Sequence, residues 1–198
     1  IPANPALGVK APKRTAKGAA RDPWTFLTAD EVRAVETCEA MPEAARLLFV
    51  VAIYTGLRAG ELWCLRWGDV HERDARPEVI VRASWKGAPK NGRAQPVPLL
   101  PKAREALTRF RELATVDGEV PADDALVFPS PRGHQRQCGD DAGWGTRKVR
   151  GLHRDGLKLL AGITRPVRFH DLRHTCASHL VMGSWTSSAF PLADVRTF

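Results

Sequence analysis

Three stretches of the chain set cationic and titratable side chains at spacings that could do chemistry. In TGLRAGEL, residues 55–62, Arg58 follows a glycine suited to cap one helix and opens the next. Free backbone N–H groups and the helix dipole favour an anion there. Glu61, at i+3, can brace the guanidinium from the same face; the competing reading is a surface ion pair of little energetic weight. In the polar stretch KGAPKNGR, residues 86–93, Lys86, Lys90 and Arg93 stand on the connection of a two-stranded ribbon. A lysine there can reach into a groove or towards a leaving oxygen, or it can simply keep a sheet edge soluble. In RFHDLRHTCASHL, residues 168–180, His170 and Arg173 are i and i+3 and share a helix face, with His174 beside them.

The third stretch admits three readings. A permanently charged fork beside a titratable imidazole suits phosphate binding and proton transfer. His170 and His174, at i and i+4, could form a zinc pair, but Asp171 and Leu172 stand where an HExxH motif needs its glutamate, and no third ligand follows at a convincing spacing. A plain helix with a histidine-rich edge is the third. Of these, the phosphate site fits best and no metal is expected.

The elements that must hold these residues are mostly helical. Thr28 with Glu31 makes a capping box for a helix running to about Glu39. Met41-Pro42 breaks it, and Pro42 suits the first turn of the next helix, through ARLLFVVAIY, which is apolar on nearly every side and reads as the central buried element. Gly56 is a natural left-handed cap for it. A third helix is expected from Ala59 to about Trp67. EVIVRAS (78–84) and QPVPL (95–99) have strand character, and Asn91-Gly92 between them is a hairpin signal. PKAREALTRFRELAT reads as an amphipathic helix opened by Pro101, and ALVF (125–128) as a short strand or core plug. Trp144 to Leu160 reads as a helix with Val149, Leu152 and Leu160 inward and Arg147, Lys148, Arg150 and Arg154 outward. Asp171 to Val181 is the last helix, with Leu172, Cys176 and Leu180 as its apolar stripe. The fold class is therefore α+β, mainly helical with a small antiparallel β-sheet.

Composition narrows the partner. The 198 residues carry 30 Lys+Arg against 22 Asp+Glu, a formal charge of +8 that points to an anionic partner, nucleic acid before a membrane surface. The excess is concentrated in residues 131–173, which hold ten Lys and Arg against four Asp and Glu. The longest apolar run, Leu47 to Tyr54, is far below the roughly 18–20 residues of a membrane span. The four cysteines, Cys38, Cys64, Cys138 and Cys176, form no CxxC pair and read as thiols in a reducing, cytoplasmic compartment. Residues 1–22, with five Lys/Arg and three Pro, read as a basic linker, and 23–198 as one domain.

Taken in order, TGLRAGELWCLRWGDV, a hairpin lysine before Val97-Pro98, and HDLRHTCASHL resemble the tyrosine recombinase (phage integrase) family over residues 24 to 183. The resemblance implies that a tyrosine attacks a DNA phosphate, giving a 3′-phosphotyrosyl link that a second strand later reverses, with no metal or nucleotide cofactor. It implies Arg58, Lys90, His170 and Arg173 as catalytic residues, Glu61 as their support, and Lys86, Arg93, Arg147, Lys148 and His174 as contacts to double-stranded DNA. It also implies a homo-oligomer on DNA in a full-length parent. The family's nucleophile follows a Leu-Gly-His segment beyond the second motif, and PLADVRTF, at the C-terminus, resembles the residues that lead into it. The expectation is thus a catalytic domain incomplete at its C-terminus. The only tyrosine, Tyr54, lies in the apolar helix and reads as a core aromatic with its hydroxyl satisfied. A catalytically inert DNA-binding remnant or accessory protein of a mobile element is the alternative.

Overall fold

The computed structural model describes residues 25–85, 87, 94–149 and 152–185; the linker expected at 1–22 lies outside them. Helix α1 (Ala29–Glu36) starts at the expected capping box, the Thr28 hydroxyl accepting from the Glu31 N–H at 3.2 Å and the Glu31 carboxylate from the Thr28 N–H at 2.8 Å. It ends one turn earlier than periodicity suggests, where the Thr37 hydroxyl turns back to the Arg33 carbonyl at 3.0 Å. Helix α2 (Glu43–Thr55) is buried without interruption from Leu47 to Thr55 and packs against α1, α4 (Pro101–Ala114) and α5 (Asp171–Val181). A helix apolar on all sides is stable only when surrounded, and α2 is the axis of the domain.

Helix α3 (Ala59–Leu62) is a single turn and stops well short of Trp67. The next residues are drawn into extended contact with the 125–128 segment: Arg66 bridges Leu126, and the Val127 N–H donates to the Leu65 carbonyl at 2.9 Å. The ALVF segment is a core plug, with Val127 and Phe128 each 1% exposed. After a 3₁₀ turn at Trp67–Asp69 comes β1 (Val70–His71), a two-residue strand too short to show alternation. It pairs with β2 (Glu78–Val81), which pairs in turn with β3 (Gln95–Pro98), all antiparallel, in the order β1-β2-β3 with Val79 opposite both Val70 and Val97. Strand β3 is an edge strand, which is why it tolerates Pro96 and Pro98.

The expected helix from Trp144 to Leu160 is not formed. Residues Arg147–Val149 (β4) and Leu152–Arg154 (β5) make an antiparallel hairpin with Val149 opposite Leu152, followed by a 3₁₀ turn at Leu157–Leu159. Arg147 and Lys148 therefore belong to a strand and not to the outer face of a helix. The cause is local. A Cβ at Gly156 would lie 2.3 Å from the Trp144 carbonyl oxygen, a backbone approach that no other residue permits. Trp144 is fully buried, and its indole N–H donates to the Val167 carbonyl at 3.0 Å. Leu160, expected inward, is 47% exposed, while Lys158 is buried and donates to the Ile163 and Arg165 carbonyls.

The last helix matches its expectation: α5 buries Leu172, Cys176 and Leu180. The architecture is α+β, mainly helical with a small antiparallel sheet. Among the described residues no helix is long and apolar enough to cross a membrane.

Candidate functional site

The site forms where the end of α2 meets α5. Gly56 holds φ 61°, the left-handed cap that ends α2. A Cβ there would come 3.1 Å from both Cβ and Sγ of Cys176, so glycine serves the turn and the close approach of the two helices together. Its carbonyl then accepts from Nη1 of Arg173 at 2.5 Å. One residue thus ends the central helix, admits α5 and orients the second arginine.

Arg58 follows two residues later. Its Nη1 donates to Oε1 of Glu61 at 2.8 Å, and Oε2 of the same carboxylate accepts the Arg58 backbone N–H at 2.8 Å. Glu61 is well covered while the Arg58 side chain is 60% exposed, so the carboxylate is the fixed partner and the guanidinium reaches outward from it. The dipole argument for this position fails, because a one-turn helix has no macrodipole worth the name. The expected bracing by Glu61 takes its place.

Arg58 and Arg173 share one electrostatic neighbourhood. Burial first, and then the like charge of Arg58, pull the Arg173 guanidinium below its ordinary value, with Glu61 and Cys176 opposing. Two cations held this close, one of them largely buried, form a ready site for an anion that neutralises both. The Cys176 thiol beneath them is pushed up to about 12 by burial and is no competitor for protons or nucleophilic work.

At the start of α5, His170 and His174 meet edge to face, ring centroids 5.1 Å apart and planes at 87°. Burial first, and then His174, hold His170 below the usual imidazole value, Arg168 and Arg173 acting the same way and Asp171 against them. Asp171, 1% exposed, accepts from the Arg168 backbone N–H at 2.8 Å and from its guanidinium at 2.6 and 3.1 Å. Burial would raise this carboxyl, but the Arg168 bonds together outweigh it and hold it below its ordinary value. Thr175 completes the motif's scaffold, its hydroxyl donating to the Asp171 carbonyl and accepting from the Leu27 N–H, both at 2.9 Å. The motif's non-reactive letters are its mounting.

Of the residues singled out in the sequence, the structure brings Arg58, Glu61, His170, Arg173 and His174 to this corner of the fold. Lys86, Lys90 and Arg93 lie outside the described residues, between β2 and β3. Arg147 and Lys148 are placed only as the first residues of β4. Among the described residues no group of three or more His, Cys, Asp or Glu could hold a metal ion. Tyr54 is 7% exposed, its hydroxyl donates to Oε1 of Glu36 at 2.5 Å and its ring lies 4.3 Å from that of Trp185. Burial, then Glu36, raise its phenol far above the ordinary value. Sequence reading missed two features: the Gly56 carbonyl as the acceptor for Arg173, and Trp85, whose indole covers Gly60 in α3. Neither has a signal within one local window, because each joins segments far apart in the chain.

This architecture, a helical bundle around a buried α2 with a three-stranded sheet beside it, is that of tyrosine recombinase catalytic domains. XerA recombinase superposes with a TM-score of 0.61 at 21% identity, over 97% of this chain and 64% of XerA. A lambda integrase tetramer bound to a Holliday junction gives a TM-score of 0.53 at 23% identity, over 83% of this chain and 44% of the integrase. The chain belongs to the phage integrase family, whose pattern matches residues 25–189. Tyrosine recombinase XerC of Xanthomonas axonopodis pv. citri (strain 306) is 29% identical over 187 residues, 93% of this chain and 52% of XerC. The chain spans about half the length of that relative.

Proposed function

We propose that the chain carries the phosphate-binding half of a site-specific DNA recombinase centre. The observation that carries this reading is the pairing of Arg58, fixed by Glu61, with Arg173, fixed by the Gly56 carbonyl. In a phosphoryl transfer without metal, charge builds on the non-bridging oxygens of a pentacoordinate phosphorus. Two preorganised guanidiniums stabilise it there, and losing one such donor typically costs about 10²–10³ in rate. Lys90, on the connection between β2 and β3, would give a proton to the departing 5′-oxygen, and His170 would act as acid/base or hydrogen-bond partner. No cofactor is needed, because a phosphotyrosyl ester conserves the energy of the broken bond for rejoining.

The partner in this reading is double-stranded DNA, with Lys86, Arg93, Arg147, Lys148 and His174 as further backbone contacts. In this reading several copies would assemble on one DNA, as the lambda integrase tetramer does on a Holliday junction. The nucleophile is the point at which these 198 residues depart from the chemistry the resemblance implies. Tyr54, the only tyrosine in the sequence, is buried and bonded to Glu36, so the 198 residues bind a DNA phosphate without cleaving it. That burial favours the second reading, an inert DNA-binding protein of a mobile element, for the chain acting alone.

Duplex binding measured against salt tests the first part. Several neutralised phosphates give a log–log slope near −0.9 per contact; a flat response removes the DNA cleft. A nicked suicide duplex tests the second part, since any covalent adduct with this chain refutes the absence of a nucleophile.

A further inference from the structure

Arg168, the first residue of the second motif, is bonded along one edge only. Its Nε and Nη2 donate to the two oxygens of Asp171 at 3.1 and 2.6 Å, and among the described residues its Nη1 has no partner. The segment that carries it into α5 is rigidly mounted. Val167 and Phe169 are buried, the first with its carbonyl bonded by the Trp144 indole and the second with its ring 5.3 Å from that of Trp63. Arg168 and His170 alternate with them and face outward. The turn then closes on itself: the Asp171 N–H donates to the Arg168 carbonyl at 3.0 Å, and Oδ2 of Asp171 accepts the Arg168 N–H at 2.8 Å. His170 lies inside that closed turn, so Arg168 and His170 are fixed together.

Arginine–carboxylate pairs take two forms in this fold. In the structural form both partners are covered, as with Arg111, whose side chain is 16% exposed on Glu72. In the other form the carboxylate is covered and the guanidinium is not. Arg58 has that form over Glu61, and Arg168, 60% exposed over an Asp171 side chain at 1%, has it too. Arg82 on Asp69 shares it, but the place of Arg168 sets it apart. Burial, then His174, then Arg168 and Arg173 lower the His170 imidazole against Asp171, so Arg168 acts in the same field as the site's second arginine. A guanidinium has five N–H donors, and one edge held by a covered carboxylate preorganises the rest for a second anion. We infer that Arg168 is a third phosphate-binding arginine of the site, its Nη1 taking a DNA backbone phosphate while Nε and Nη2 stay on Asp171. This rests on the DNA-binding reading above and gives it a further contact on the His170 side.

The test is the affinity of the 198-residue chain for a short random-sequence duplex across a salt series. The wild type is compared with the double variant Arg168→Gln, Asp171→Asn. That variant keeps the net charge and strands no buried carboxylate, so a change in salt response reports a lost phosphate contact. Its log–log slope should be shallower by about 0.9, and the wild type's advantage should shrink about three- to fourfold between about 50 and 200 mM salt. In the wild type itself, saturating duplex should shift the guanidinium N–H resonances of Arg168, a readout that needs no variant to fold. An unchanged slope in the double variant, whether or not affinity falls, overturns the inference and leaves Arg168 as a clamp on α5. Arg168 resonances that ignore saturating duplex overturn it as well. If the wild type binds no duplex at any salt, the DNA-binding reading itself fails, and this contact with it.

Discussion

Nη1 of Arg173 donates to the carbonyl oxygen of Gly56, so the residue that ends the central helix also aims the second arginine of the site. The two motifs that carry the family resemblance, 117 positions apart at this contact, are thereby one structural unit. The glycine at their junction is constrained twice, by its φ of 61° and by Cys176 at 3.1 Å from where a Cβ would stand.

Gly56→Ala should therefore damage stability and site together. An alanine in the left-handed region costs about 1–2 kcal/mol and pressing a methyl into a packed contact about 1–3 more, so a loss of about 2–5 kcal/mol is expected. Urea denaturation gives the stability, and duplex binding by the folded fraction should weaken as Arg173 is displaced. A variant of wild-type stability and affinity would mean that α2 and α5 are free to separate here.

A further ion pair, Glu72 with Arg111, is structural. Glu72, with a side chain 3% exposed, accepts from Nε and Nη2 of Arg111 at 2.8 and 3.0 Å, and the guanidinium sits 4.4 Å over the Trp67 ring. Arg111→Ala leaves the buried carboxylate only the long contact to the exposed Arg73, 3.8 Å from its Oε1, and should cost about 2–4 kcal/mol. The double variant Arg111→Ala with Glu72→Gln should recover a good part of that, because the stranded charge is gone. A double-mutant cycle on denaturation midpoints reads both; equal losses in the single and double variants would show that packing, not charge, is what Arg111 supplies.

Thiol chemistry should map the fold. Cys176 lies against the arginine corner with its thiol pushed up to about 12 by burial, Cys38 is also buried, and Cys138 is exposed. A thiol-reactive probe at mildly alkaline pH should label Cys138 first and reach Cys38 and Cys176 only in denaturant. Native labelling of Cys176, located by peptide mass mapping, would contradict the α2–α5 contact.

How much of this was legible in the sequence depends on the distance over which each feature is encoded. The cap at Thr28, the apolar run of α2, the Gly56 turn and the Arg58–Glu61 brace are written within a few residues and were readable. The stretch from Trp144 to Leu160 misled because Val149, Leu152 and Leu160 match a helical period, while the deciding fact is the backbone of Trp144 lying against Gly156. The one-turn length of α3 was equally hidden, since pairing of residues 65–66 with 126–127 overrides its local helical preference. At the site, the residue types were legible but their mounts were not. The Gly56 carbonyl under Arg173 and the Gly60 seat under Trp85 exist only once segments remote in sequence are brought together.

The proton balance at His170 offers the sharpest check on the site. Burial first and His174 second keep its imidazole below the ordinary 6.5, with Arg168 and Arg173 adding to the effect and Asp171 opposing it. A histidine whose folded pKa lies below its unfolded value binds fewer protons when folded near pH 6. Its contribution to stability is therefore present above about 6.5 and is lost as pH falls below that. NMR of the imidazole Cε1–H should place the His170 midpoint below 6.5 in the free chain, and His174→Asn should move it up by removing the neighbouring positive charge. Bound duplex DNA should move it up further, because a phosphate between the arginines favours the imidazolium. Binding must then draw protons from solution and strengthen as pH is lowered through the same range. A His170 midpoint that ignores both His174→Asn and bound DNA would separate this imidazole from the anion site and leave Arg58 and Arg173 to hold the phosphate alone.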